Sequence, residues 1–348
     1  SPFKAGTRTS TFVEFVDLVP TVLSLAGIDI PKSIDGKAFL GKKLKKSELE
    51  KRNSAFGYAD RFDEKYDLVR SIRKGKYKYM RNYQPFNVDG LYNFYRYKML
   101  AYKEWYTLFQ DGKLNDIQSQ FFKPKSPESL YNIEEDPHET TNLANDIAYN
   151  DILLTMREDL NNHLMSINDL SFLPEPYFLN NGIDDVVEYS AQNKTLIKKL
   201  IETSNLQLKD YDEVSSQIKN ALNDDNPWVR YWGLIVCSSF GSKAIENKDK
   251  INVIFENDSE NLVRMRAAEF MLLNDIELSD SKINSLLKRS NFEAEANLML
   301  NTLANIKTIN PKYKLNLNKN VFPENWIPPI REENALVNRR MNYLTENE

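Results

Sequence analysis

The spacing of apolar positions changes several times along this chain, and each change marks an element. Phe12, Val13, Phe15 and Val16 form a dense β-prone run that predicts a short strand. Leu18, Val22, Leu25 and Ala26 follow at helical spacing behind Asp17, a good capping residue, with Pro20 tolerated in the first turn. Gly27 ends that helix. After a loop over 29–53 carrying Pro31, Gly36 and a Lys-rich run, SAFGYA at 54–59 predicts a buried strand. In DLVRSIRKGKYKYMRNY, Leu68 and Ile72 flank Arg70 in alternation, and Tyr77, Tyr79 and Arg81 resume the alternation past Gly75. That pattern predicts a β-hairpin turning at Lys74 and Gly75. SLYNI at 129–133 predicts a fourth strand, followed by the turn EEDPHE. From Asp146 to Asp169 a long helix is expected, with Ile147, Ile152, Leu153, Met156, Leu160, Leu164 and Ile167 along its inner stripe.

SFLPEPY then punctuates the chain with two prolines and predicts a domain boundary. Beyond it the pattern is helical and repetitive. NPWVRYWGLIVCSSFG at 226–241, ENLVRMRAAEFMLLND at 260–275 and SNFEAEANLMLNTLAN at 290–305 align, with Val229-Arg230 recurring as Val263-Arg264. Such a period predicts paired-helix repeats of HEAT type, each covering its neighbour's apolar face. The segments expected are thus 1–50, 51–178, the repeats over 185–312, and an extended Pro-rich tail over 313–348 anchored by Trp326. The opening strand and helix need a sheet to lie on, and the expectation is that they close the back of a larger domain.

Composition narrows the picture. At 348 residues and 41% hydrophobic, two cores are affordable. Near balance between 46 basic and 50 acidic residues leaves no broad field for nucleic acid or an anionic membrane. No apolar run reaches the roughly 20 residues of a membrane span. Cys237, the sole cysteine, excludes an internal disulfide, and two histidines, His138 and His163, argue against a His-built metal site. Cys237 reads as a small buried hydrophobe, His138 as part of a tight turn, and Arg230 and Arg264 as ion pairs or stacking groups inside the repeats. The aromatics Tyr92, Phe94, Tyr95, Tyr97, Tyr102, Trp105 and Tyr106 are expected to pack over the sheet, a sugar-stacking platform being the alternative.

Three stretches carry a resemblance. FVEFVDLVPTVLSLAGIDIPKSIDGKAF, YDLVRSIRKGKYKYMRNY and PKSPESLYNIEEDPHETTNLAND are similar, in this order, to the C-terminal part of the type I sulfatases. RNYQPF and DPHETTNLA place the likeness nearest to the N-sulfoglucosamine sulfohydrolase-like enzymes of glycosaminoglycan breakdown. The resemblance covers roughly residues 8–175 and implies an α+β fold: a four-stranded antiparallel sheet with a long helix, here followed by the all-α repeats, residues 1–50 being the end of the family's α/β domain. It also implies a sulfated glycan substrate, calcium, and a formylglycine made from the Cys or Ser of a C/S-x-P-x-R signature. That signature is absent here, and Cys237 in VCSSFGS lacks its Pro and Arg, so no nucleophile or metal ligand is assigned in this chain. What it would supply is recognition. Arg61 in ADRFDEKYD would fork onto a sulfate or carboxylate, Asp63 and Glu64 would accept sugar hydroxyls, and Tyr83 would line the same cleft; a merely solvated loop is the plainer reading. The resemblance further implies a periplasmic or extracellular setting. A non-catalytic module, its repeats holding a protein or glycan partner, is the competing function.

Overall fold

A computed structural model of the chain describes residues 4, 6–310, 313–326 and 336–345. Four strands, β1 (Ser54–Phe62), β2 (Lys65–Lys74), β3 (Tyr77–Asn82) and β4 (Glu128–Asn132), form one sheet in the order β1-β2-β3-β4. β3 pairs antiparallel with β4, Tyr79 facing Leu130. The hairpin between β2 and β3 turns at Gly75, whose φ of 57° is open to glycine at little cost. All four strands lie where the pattern predicts them, but β1 is a correction: it is an edge strand in which no residue is fully buried and Tyr58 is exposed, rather than the buried strand expected. The described residues divide into two compact units that are not successive in sequence: 1–58, 70–81 and 128–162 form one, and 59–69, 82–127 and 163–348 the other. This grouping differs from the linear division expected at the prolines, because loops from the first half join the helices of the second.

In the first unit, helix α1 (Leu18–Ala26) ends as expected at Gly27, with φ of 79°. The run before it is a correction. Residues 12–16 form no strand; Phe15–Asp17 make a single 3-10 turn, and Phe15 is 90% exposed. Its driving contact is polar. The buried Asp17 carboxylate accepts from the backbone N–H of Glu14 and Lys37 (3.1 and 2.7 Å) and from Arg52 (3.3 Å), while Arg52 also donates to the carbonyls of Lys37 and Ala38. Gly36 sits where a Cβ would strike the Val16 carbonyl, which explains the Asp-Gly pair in that loop. With Asp17, Pro20 and Thr21 buried, the apolar residues Phe15, Val16, Val19, Val22 and Leu25 all face outward. Helix α2 (Leu100–Gln110) belongs to the second unit. Elsewhere in the first unit, Ile72, Tyr79 and Leu130 of the sheet and Leu153, Met156 and Leu160 of helix α3 (Asn150–Ile167) are buried, whereas Ile147 and Ile167, expected on the inner stripe of that helix, are exposed. Arg157 clamps Glu128 through two nitrogens (2.9 and 2.6 Å), and Glu128 accepts the Tyr79 hydroxyl (2.8 Å).

The second unit is built on helices in sequence: α4 (Lys194–Ser204), α5 (Tyr211–Leu222), α6 (Pro227–Phe240), α7 (Lys248–Asn257), α8 (Asn261–Leu273), α9 (Asp280–Lys288), α10 (Glu293–Ile309) and α11 (Leu336–Thr345). α4, α6, α8, α10 and α11 pack in series, while α5, α7 and α9 flank α6 and α8. Three of them coincide with the aligned segments. As expected, Arg230 forks onto Asp258 (2.7 and 3.0 Å) and Arg264 lies over the Phe255 ring (5.8 Å to its centre). The tail is a second correction: 336–345 is helical rather than extended, and the remainder of the Pro-rich stretch, 327–335, lies outside the described residues.

Loops of the first half are held to these helices by side chains. Asn301 on α10 takes the Tyr66 N–H on its Oδ1 (2.9 Å) and returns its own N–H to the Tyr66 carbonyl (3.1 Å). One turn on, Asn305 does the same for the Val88 N–H and Phe86 carbonyl (3.3 and 3.2 Å). Arg340 of α11, completely buried, donates to the carbonyls of Tyr92 (2.6 Å) and Glu64 (3.3 Å) and to Asn301 Oδ1 (2.9 Å). Burial lowers its guanidinium to about 10, so it stays charged at neutral pH. Trp232 donates its indole N–H to the Phe172 carbonyl (2.7 Å), and Arg266 ties Gln84 and Tyr231 to the buried Glu269.

Arg340→Met keeps the length of the side chain and removes every donor. Leaving those buried carbonyls unpaired is expected to cost about 3 kcal/mol, read as a lower urea midpoint of tryptophan fluorescence, whereas Lys209→Met at an exposed position leaves the midpoint unchanged.

Candidate functional site

The stretch that sequence reasoning offered as a recognition loop is a tight connection between β1 and β2. Asp63 occupies a left-handed conformation (φ 50°), which a short polar side chain tolerates. Of the residues expected to meet a glycan there, only Asp63 is exposed. Arg61 belongs to β1, and its guanidinium forks onto both carboxylate oxygens of Glu175, its Nε at 2.6 and 2.7 Å. Glu64 is a correction: it is fully buried, with one oxygen accepting the Phe94 N–H (2.5 Å) and the other finding no hydrogen-bond partner. Tyr83 is another. It is 2% exposed and packs edge-on against Phe172 and Trp232, with ring centres 4.8 and 6.0 Å away. Both side chains are enclosed within the second unit. Asp67, from the same stretch, is buried with Lys125, which donates to it at 2.5 Å. Burial works to raise that carboxyl, but Lys125 and Lys65 outweigh it and hold it below the usual range.

The geometry assembles a different site. A pocket of about 280 Å³ opens between the aromatic segment after β3 and the two last helices, all within the second unit. Its lining is Tyr92, Phe94, Tyr97, Lys98, Lys103 and Tyr106 of the aromatic segment together with Lys307 of α10 and Tyr343 of α11. Tyr92 stacks on Tyr343 with ring centres 4.4 Å apart and planes within 5°, and on Tyr97 at 5.3 Å. Tyr97 gives its hydroxyl to the Gly90 carbonyl (2.6 Å) and meets Tyr106 edge-on. Burial, then the nearby Tyr106 and Tyr343 hydroxyls, push the Tyr97 phenol upward. Lys307 donates to the Tyr343 carbonyl (2.7 Å) and lies 4.9 Å from the centre of its ring, while Lys98 lies 4.3 Å from that of Phe94. Among the described residues, three ammonium groups, those of Lys98, Lys103 and Lys307, line the pocket.

Sequence reasoning found half of this site. Tyr92, Phe94, Tyr97 and Tyr106 stood out as an aromatic cluster; Tyr97 meets Tyr92 and Tyr106, Tyr92 stacks on Tyr343, and the Phe94 ring lies under Lys98. Lys98, Lys103, Lys307 and Tyr343 were missed. The last two come from residues about 200 positions downstream of the cluster, and Tyr343 sits on the helix taken for an extended tail.

The remaining candidates carry no site. His138 is exposed in its turn, whose geometry rests on Asp136 accepting from Thr140 and Thr141. Cys237 is fully buried on α6, and burial pushes its thiol up to about 12. Among the described residues no group of three or more His, Cys, Asp or Glu side chains is placed to hold a metal ion. No described helix is long and apolar enough to cross a membrane.

Comparison with known proteins adds the following. Residues 1–123 match the family described as N-sulphoglucosamine sulphohydrolase, C-terminal. Two curated relatives, both ulvan-active sulfatases of Formosa agariphila, are 36% identical over 178 residues and 25% identical over 170 residues. The alignments take in 51% and 48% of this chain but only 29% and 32% of those proteins, so the chain spans under a third of the relatives' length. A solved structure of a protein in complex with its substrate D-glucosamine-2-N,6-O-disulfate shares 16% identity over 49% of this chain and 25% of that one, with a TM-score of 0.26.

The buried thiol gives a check on this description. Ellman's reagent at pH 8 should titrate no cysteine in the native chain and one after denaturation; a fast native reaction would place Cys237 at the surface. Taken together, the match over residues 1–123 and the two sulfatase relatives support a sulfatase C-terminal portion in the first part of the chain.

Proposed function

We propose that this chain is the C-terminal part of a sulfatase that hydrolyses sulfate esters or N-sulfates of a sulfated glycan, followed by a HEAT-like helical repeat. The observation that carries the reading is the 36% identity to an ulvan-active sulfatase over 178 residues. The outward row of Phe15, Val16, Val19, Val22 and Leu25 fits it, since polypeptide outside this sequence would give that apolar row a cover. The nucleophile and the metal belong to that other polypeptide: a formylglycine would supply a covalent sulfoenzyme step and calcium would offset charge on the sulfuryl oxygens. The described residues contribute shape and charge. Arg61, held by Glu175, and the exposed Asp63 are the two residues of the β1–β2 turn that a substrate could meet. Processing of an external polysaccharide implies a periplasmic or extracellular setting.

The competing reading makes the chain a binding module on a degenerate scaffold. The absence of C/S-x-P-x-R from its 348 residues favours that reading for the chain taken alone.

The two part on activity. The chain by itself is expected to give no turnover of 4-nitrophenyl sulfate or of an N-sulfated disaccharide. The protein encoded by the continuous reading frame is expected to turn over one of them and to lose that activity when the Cys or Ser of its C/S-x-P-x-R is changed to Ala. A reading frame that carries no such signature upstream would defeat the sulfatase reading.

A further inference from the structure

We propose that Arg96, backed by Lys65, binds the sulfate or carboxylate of an anionic sugar on the aromatic surface formed by the end of β1, helix α2 and Phe121. Two observations point there, both within the second unit. The first is a gathering of positive charge around residue 89. The Asp89 carbonyl accepts from Lys65 Nζ (3.1 Å) and from Arg96 Nη1 (2.6 Å), which brings two cations to one oxygen. Lys125 reaches the Asp89 carboxylate (3.1 Å) as well as that of Asp67 (2.5 Å). Three cations thus meet two carboxylates, and the surplus is positive. The cluster opens to water, since Lys65 and Asp67 are buried but the Asp89 side chain is 49% exposed and Arg96 is half-buried. Partly buried charges are screened less by salt than free surface ones, so an anion arriving at Arg96 meets an attraction that persists at physiological ionic strength. Burial holds the Lys65 ammonium below the usual lysine range against the pull of Asp67 and Asp89, and Lys125 and Arg96 add to the lowering; a bound anion would relieve it.

The second observation is the setting of Arg96. Its guanidinium lies 5.3, 5.5 and 5.9 Å from the ring centres of Phe121, Tyr102 and Phe62, contacts that fix a long side chain in place. Phe62 in turn meets Tyr95 edge-on at 6.2 Å, while Phe121 stacks on Trp105 at 4.7 Å with planes within 15°. These rings are not core. Phe62 and Tyr95 are exposed, and Tyr102, Trp105 and Phe121 are half-buried. A guanidinium carries five N–H donors, of which the Asp89 carbonyl takes one. An arginine mounted among rings offers both things that an anionic sugar needs: a planar fork for its oxyanion and apolar ring bodies for its C–H faces.

The choice of a sugar as the carrier of the anion rests on the sulfatase reading, whereas the cation cluster and its rings do not. The test is calorimetry and saturation-transfer NMR on the whole chain, with glucose 6-sulfate, glucuronate, glucose, inorganic sulfate and AMP as probes. The expected result is saturable binding of a charged sugar, weakened by added salt, with glucose and inorganic sulfate at least about tenfold weaker. Binding of glucose 6-sulfate alone would assign sulfate as the group held, and of glucuronate alone the carboxylate. Arg96→Gln should lower affinity by about tenfold or more, and Arg96→Lys, which keeps the charge and loses the fork, by several-fold. Because Arg96 also ties down the Asp89 carbonyl, Tyr95→Ala supplies a variant at an exposed ring; it should weaken binding about threefold or more with the melting temperature unchanged. Equal binding of glucose and glucose 6-sulfate, no binding of any sugar, affinity unchanged in the folded Arg96 variants or in Tyr95→Ala, inorganic sulfate as good as the charged sugars, or preference for AMP would each overturn the proposal. A reading frame without an upstream C/S-x-P-x-R signature would end the sulfatase reading and leave these affinities as measured.

Discussion

Buried backbone must be paired, and the second unit meets that demand with side chains. Tyr66, Phe86 and Val88 present N–H and C=O groups to the interior, and Asn301 and Asn305 answer them with amides that each accept and donate as a neighbouring strand would. Four residues apart on α10, the two asparagines share one face of the helix. Arg340 then adds a charged donor to the same Asn301 oxygen and to two more carbonyls. Much else depends on this small knot. It sets where α11 lies, therefore where Tyr343 stacks, and therefore whether a lysine-rimmed pocket exists at all.

How much of this could be read in the sequence follows from what kind of signal each feature leaves. The four strands and the long helix leave apolar periodicity, and they were legible. So was the Arg230 position, because its recurrence as Arg264 is a pattern. Residues 12–16 misled because apolar, β-prone side chains were assumed to be drawn inward, whereas the local geometry is set by the Asp17 carboxylate. Glu64 and Tyr83 misled in the opposite direction: a charged residue at a turn and a tyrosine beyond a strand look like surface, but Phe94 N–H and the Phe172–Trp232 pair claim them. The joining of loops 59–69 and 82–127 to the helices left no periodic trace, being encoded in single Asn, Arg and Trp side chains.

The buried charges share a logic. Arg266 with Glu269 and Lys125 with Asp67 are each removed from water with their partners. A greasy replacement of both members would often be as stable, so such pairs contribute most by penalising wrong arrangements in which one member is left alone. That is useful here, where many similar helices could slide past one another by a turn.

Interleaving the two halves has a consequence for the nascent chain. Tyr66 and Asn301 are 235 positions apart, and Glu64 and Arg340 are 276 apart. At a translation speed of roughly 5–20 residues per second, the β1–β2 edge leaves the ribosome on the order of ten seconds to a minute before its closing partners. Through that interval a strand edge and a tyrosine-rich loop stand uncovered, and it is in that window, rather than in the finished fold, that this polypeptide is most exposed to chaperones, proteases and its own copies.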